Sequence, residues 1–119
     1  MGKTILQEKS YVFAIAIVRL CQNIQEERKE YVLTKQVLRS GTAIGALIRE
    51  AEFGQSRADF INKLSISLKE ANESMYWISI MYDTGYISNE THKKLYGDCN
   101  EIIAILVASI KTLKSKINS

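Results

Sequence analysis

The stretch INKLSISLKEANESMYWISIMY, residues 61–82, returns an apolar residue at alternating steps of three and four: Ile61, Leu64, Leu68, Ala71, Met75, Ile78 and Tyr82. That spacing is the seam of a helix packed in a bundle, and it is the clearest periodic signal in the chain. Ser56 supplies an N-cap before it, with Asp59 three residues on to suit the helix dipole. Gly54 reads as the C-terminal cap of the preceding helix, and Gly85 in DTGYIS as the cap that ends this one.

Outward from that stretch the same pattern recurs. A first helix, about Ser10 to Arg28, places Tyr11, Ala14, Val18 and Cys21 on one stripe, with Ile17, Leu20 and Ile24 beside it and Phe13 and Ile15 widening it. A helix this broadly apolar needs a deep position or a second burial surface on another subunit. Phe13, Ile17 and Trp77 are therefore candidate packing or interface residues. After the charged run EERKE, Thr34 reads as the N-cap of a second helix running to about Phe53. Its stripe is Val37, Gly41, Ile44, Gly45, Ile48 and Ala51. Each glycine inside a helix costs about 1 kcal/mol relative to alanine, so close approach of a neighbouring helix must offset it. Gly41 and Gly45 are thus expected at a helix-packing or oligomer interface. Ser88 starts a fourth helix striped by Leu95, Cys99, Ile102, Leu106, Ile110, Leu113 and Ile117. Short turns between four such segments predict an all-α fold, an antiparallel up-down-up-down four-helix bundle, as one domain over residues 1–119.

The bulk numbers agree with this. The 119 residues are 46% hydrophobic and 24% charged with no proline, which excludes collagen-like, linker-like and disordered classes. The longest apolar run, Val12 to Val18, is far short of the roughly 20 residues of a membrane span, so no membrane partner is expected. The start MGKTILQEKSY lacks the features of a secretory signal, and Leu6 stands where a myristoylation signal wants Ser or Thr. A cytoplasmic protein is expected. Cys21 and Cys99 read as buried free thiols.

Chemistry is sparse. Gly41 and Gly45 match neither phosphate-loop spacing. The single histidine, His92, lies in the polar stretch NETHKK and reads as exposed. Glu70 and Glu73 share a helical face, which suits a salt-bridged surface better than acid-base work or a metal. No nucleophile-base pair appears, so neither an enzyme nor a cofactor is expected. The aromatics Tyr76, Trp77, Tyr82 and Tyr86 read as packing rather than as base-stacking groups. The formal charge of +3 is mildly basic. Lys35, Arg39 and Arg49 on the second helix, with Lys111 and Lys114 on the fourth, are the candidate phosphate contacts. An alternative makes Arg39 and Glu50, eleven residues apart and near one face, partners in an ion-pair network between helices or subunits.

The segments SYVFAIAIVRL (10–20), EYVLTKQVLRSGTAIGALIREA (30–51) and SRADFINKLSISLKEANESMYW (56–77) resemble a bacterial four-helix-bundle family. It includes proteins encoded in intervening sequences of 23S ribosomal RNA genes and the accessory variability determinant of diversity-generating retroelements. The most specific parts are Leu38-Arg39-Ser40-Gly41-Thr42 with Ile44-Gly45, Glu50-Ala51, Asp59-Phe60, and Lys69-Glu70-Ala71 followed by Tyr76-Trp77. The resemblance implies a ring-like homopentamer and, from the accessory determinant, binding of RNA or DNA and of a reverse transcriptase through a basic surface. This chain lacks the lysine- or arginine-rich tail of that member. The expected function is a homo-oligomeric nucleic-acid-binding accessory protein, with a protein-protein scaffold as the alternative.

Overall fold

A computed structural model describes residues 4–118, with side chains to residue 116. Among them run α1 (Ile5–Arg28), α2 (Val32–Ala51), α3 (Arg57–Asp83) and α4 (Asn89–Asn118). Each helix packs antiparallel on the next, α1 and α4 also touch, and α1 stands diagonally across the core from α3. The result is the expected four-helix bundle, 51 × 24 × 21 Å.

Local chemistry sets the boundaries. α1 starts earlier than its apolar stripe predicts, because Thr4 and Gln7 form a reciprocal cap: Gln7 N–H donates to Thr4 Oγ1 (3.1 Å) and Thr4 N–H to Gln7 Oε1 (2.8 Å). Thr34 is not the N-cap of α2. The carboxylate of Glu30 takes that role, accepting from the backbone N–H groups of Val32 (3.0 Å), Leu33 (2.9 Å) and Thr34 (2.9 Å). Thr34 is instead buried one turn in, donating to the Glu30 carbonyl (2.9 Å) and accepting from Gln25 Nε2 (3.0 Å).

Partial burial pushes the Glu30 carboxyl upward, but these hydrogen bonds outweigh it and hold the group below its ordinary 4.5. A lowered native pKa contributes stability that is complete above the ordinary glutamate range and lost as pH falls through the lowered value. Glu30→Ala is expected to cost about 1 kcal/mol at neutral pH. In urea titrations its difference from the parent should shrink as pH falls below 4.5; a pH-independent difference would remove Glu30 as the cap.

α2 ends at Ala51, so Phe53 lies in the loop and not in the helix. Gly54 does not cap by a left-handed turn, since the only glycine with positive φ among the described residues is Gly85, at +85°. Gly54 is a close-approach site, where an added Cβ would stand 3.1 Å from the Ala51 carbonyl oxygen. Ser56 and Ser88 cap α3 and α4 as expected, accepting from Asp59 N–H and Thr91 N–H at 3.1 Å each.

The core differs from the expected stripes in two helices. α1 turns Ser10, Phe13, Ile17, Cys21 and Ile24 inward, leaving Tyr11 exposed. α3 fully buries Ser67, Ser74 and Met81, each one position before the half-buried Leu68, Met75 and Tyr82. The reason is size as well as polarity. Ser67 donates to the Ile44 carbonyl (2.9 Å) and Ser74 to Ser40 Oγ (2.9 Å), so the hydroxyls are satisfied while their small volume draws α2 and α3 together. In α4, Leu95 to Ile110 follow the expected stripe, Leu113 is half-buried, and Ile117 lies outside the described side chains. The Met1-Gly2 start also lies outside the described residues.

Candidate assembly and nucleic-acid surfaces

Of the residues expected at a helix-packing or oligomer interface, Gly41, Gly45, Phe13 and Ile17 pack between helices of the one subunit. Gly41 faces Ile17, whose Cγ atoms would lie 3.0 Å from an added Cβ, and Gly45 faces Ser10, whose Oγ would lie 3.2 Å away. The glycines therefore seat α1 on α2 within one chain. Phe13 and Ile17 are 2% and 0% exposed, filled around by α2 and α4, and offer nothing to another subunit. Trp77 is half-buried on α3, with Tyr76 edge-on to it at 5.2 Å. Its indole Nε1–H is wholly buried and finds no acceptor within the described residues.

The apolar surface left over lies elsewhere. On α1, Ile5, Val12 and Ile15 point away from the core, with Val12 64% exposed. Tyr31 and Val32 at the start of α2 and Tyr76 on α3 are exposed as well. A shallow apolar groove lined by Ala16, Leu20 and Leu95, flanked by Arg19 and Lys94, marks the thin contact between α1 and α4.

The basic residues divide into two regions. Lys35 and Arg39 sit one turn apart on the outer face of α2. Arg39 reaches across to α3, where Glu70 (3.0 Å) and Glu73 hold its guanidinium; the hydrogen bond to Glu70 is the main cause that strengthens its hold on the proton. Arg39 thus stands in an ion-pair network between helices, as the alternative expects, but Glu70 and Glu73 are its members and Glu50 is not. Eleven residues along one helix is about 16 Å, beyond side-chain reach, whereas α3 lies alongside. Arg49 stands about 15 Å further along α2, at the end of the bundle where α3 begins and α4 finishes. Lys111 and Lys114 are exposed at that same end. Among the described residues, Lys35, Arg49, Lys111 and Lys114 have no ion-pair partner.

Arg57 and Phe53, missing from the sequence-derived site, join this end. Phe53 is 80% exposed in the loop between α2 and α3. The signal was present in REAEFGQSRAD, where one large apolar residue stands between two arginines.

The remaining candidates have structural partners. His92 is not exposed and uninvolved: its ring stacks on Tyr82 at 4.5 Å and approaches Tyr96 at 5.4 Å. Tyr86 lies under the Arg28 guanidinium at 4.6 Å, and Arg28 also donates to the Gly85 carbonyl (3.2 Å), tying α1 to the last turn. The aromatics thus form three separate contacts rather than one stacking platform. Cys21 donates to the Thr34 carbonyl (3.5 Å) and Cys99 to the Ala71 carbonyl (3.4 Å). Burial, aided by Glu30, pushes the Cys21 thiol up to about 11. Burial, aided by Asp98, pushes Cys99 up to about 12. No group of three or more His, Cys, Asp or Glu side chains among the described residues is placed to hold a metal ion, and no helix is long and apolar enough to cross a membrane.

A family model described as 23S rRNA-intervening sequence protein matches residues 3–108. Among solved structures, the chain is similar to a protein of unknown function from the S23 ribosomal protein family of Bacteroides thetaiotaomicron VPI-5482. The two share 51% sequence identity with a TM-score of 0.89, over 90% of this chain and 99% of that one. No curated protein matches the chain.

Proposed function

The chain belongs to the 23S rRNA-intervening sequence protein family, and on that premise we propose that it is a non-enzymatic, ring-forming homo-oligomer of five copies that binds RNA or DNA. The observation that carries the nucleic-acid reading is the set of four exposed cations, Lys35, Arg49, Lys111 and Lys114, that no carboxylate neutralises among the described residues. Arg39 drops out as a phosphate contact because Glu70 and Glu73 already occupy it. Exposed large apolar side chains on different helices, Val12 and Ile15 on α1, Val32 on α2 and Tyr76 on α3, support self-association. A contact between unlike patches is head-to-tail, which closes into a ring when the rotation allows. The ring then repeats the cations around a symmetric array, adding avidity to weak individual contacts.

The test is fluorescence anisotropy of labelled single-stranded RNA, duplex RNA and DNA across salt concentrations, with sedimentation alongside. Binding is expected to weaken steeply with salt. Replacing Lys35, Arg49, Lys111 and Lys114 with Glu should abolish it without changing the sedimentation of the oligomer. Absence of binding at low salt would replace this reading with a scaffold for a protein partner, and a monomer at all concentrations would remove the ring.

A further inference from the structure

The most exposed large apolar side chain among the described residues, Phe53, stands on a loop whose backbone is hydrogen-bonded. Its own N–H donates to the Glu50 carbonyl (3.0 Å), and Gly54 N–H donates to the Ala51 carbonyl (3.1 Å). Beyond it, Gln55 N–H donates to Asp59 Oδ2 (3.3 Å), and the Ser56 cap fixes the start of α3. Little backbone ordering remains to be done when something packs on the ring, which favours binding.

Charge surrounds this ring. Arg49 and Arg57 flank the loop on α2 and α3, both exposed. The Cys99 to Ala71 hydrogen bond fixes the register of α4 on α3. Moving equally far back along α3 and forward along α4 brings Arg57 level with Leu113, between Lys111 and Lys114. Three carboxylates share this region: Glu52 accepts from the Gln7 amide and Asp59 from Gln55 N–H, which hold these groups in place without cancelling their charge, and Glu50 accepts from neither, so the four cations exceed the three acidic groups by one. An aromatic face beside exposed cations that form no ion pair is the pairing that single strands recognise, because every base has a stacking face and every nucleotide a phosphate. A duplex keeps its bases inside the stack and offers Phe53 nothing.

We infer that the α2–α3 loop is a single-strand contact, in which Phe53 stacks on an unpaired base while Arg49, Arg57, Lys111 and Lys114 hold the adjoining phosphates. This deepens the nucleic-acid reading above and rests on it.

Labelled oligoadenylate, its DNA counterpart and an RNA duplex of equal length test it against the assembled protein. Phe53→Ala is expected to weaken both single strands about ten-fold, in the range of one stacked base. The salt dependence and duplex affinity should stay unchanged. Phe53→Trp should retain affinity, and its added indole fluorescence should be quenched on binding. If Phe53→Ala binds single strands like the parent while Lys111→Glu with Lys114→Glu still weakens them, the stacking contact is overturned and the nucleic-acid reading stands. If the parent binds no oligonucleotide at low salt, both are overturned. Dissociation of the oligomer by Phe53→Ala would make the ring an assembly contact. Binding of the parent to anionic lipid vesicles with no oligonucleotide binding would make the loop a membrane contact; either result overturns the proposal.

Discussion

Gly41→Leu is expected to destabilise the bundle by about 3 kcal/mol, the upper part of the ordinary cost of overpacking a filled core. Even the first carbon of the new side chain would stand 3.0 Å from two γ-carbons of Ile17, and Ile17 is itself wholly buried. Nothing on α1 can swing clear, so α1 and α2 must separate or Ile17 must leave its rotamer. Native domains hold only about 5–15 kcal/mol in total, so the melting temperature should fall by roughly 10 °C or more. Gly41→Ala separates the two effects glycine combines. Alanine recovers about 1 kcal/mol of helix propensity while Ile17 yields a few tenths of an ångström, so a small net change is expected. A leucine variant that melts with the parent would show that the α1–α2 seam is looser than its geometry.

Phe13→Ala is expected to cost about 4 kcal/mol, within the range for deleting a buried phenylalanine. The ring is 2% exposed, so its removal leaves a cavity that the surrounding helices fill only in part. Loss of helicity and a lowered urea midpoint should appear at every protein concentration. Val12→Asp, one residue away, is the informative companion. Val12 is 64% exposed, so an aspartate there should leave the denaturation of the subunit nearly unchanged while driving the proposed assembly apart. If Phe13→Ala dissociated the oligomer with intact subunits, the ring would belong to an interface.

These neighbours show what periodicity reveals and where it stops. The spacing of apolar residues identified four helices and their order, because a bundle must bury one stripe of each. It did not separate the inner from the outer face of α1, where Tyr11, Val12, Phe13 and Ile15 are all apolar and only one is buried. Apolar content also hid Ser67 and Ser74, whose burial depends on acceptors that another helix supplies. Thr34 and Glu30 illustrate the same limit at a helix start, since both can cap and only the folded turn chooses between them. For the surface, the basic residues were legible by type, but their grouping was not. Arg39 is neutralised by two carboxylates more than thirty positions later in the chain, and Arg49 shares an end with α4 only through antiparallel register. Phe53 escaped notice because it extends the apolar pattern of α2 by sequence and leaves the helix by geometry.

The two thiols have a consequence for the time course of opening. Cys21 lies on the seam of the first helical hairpin and Cys99 on that of the second, each hydrogen-bonded to a carbonyl across its own seam. Protonated and sealed at neutral pH, neither reacts until its hairpin parts, since only the exposed thiolate is nucleophilic. Their separate modification rates are therefore two clocks in one molecule. Equal rates would mean that the bundle comes apart as a single unit, and unequal rates that one hairpin breathes while the other stays shut.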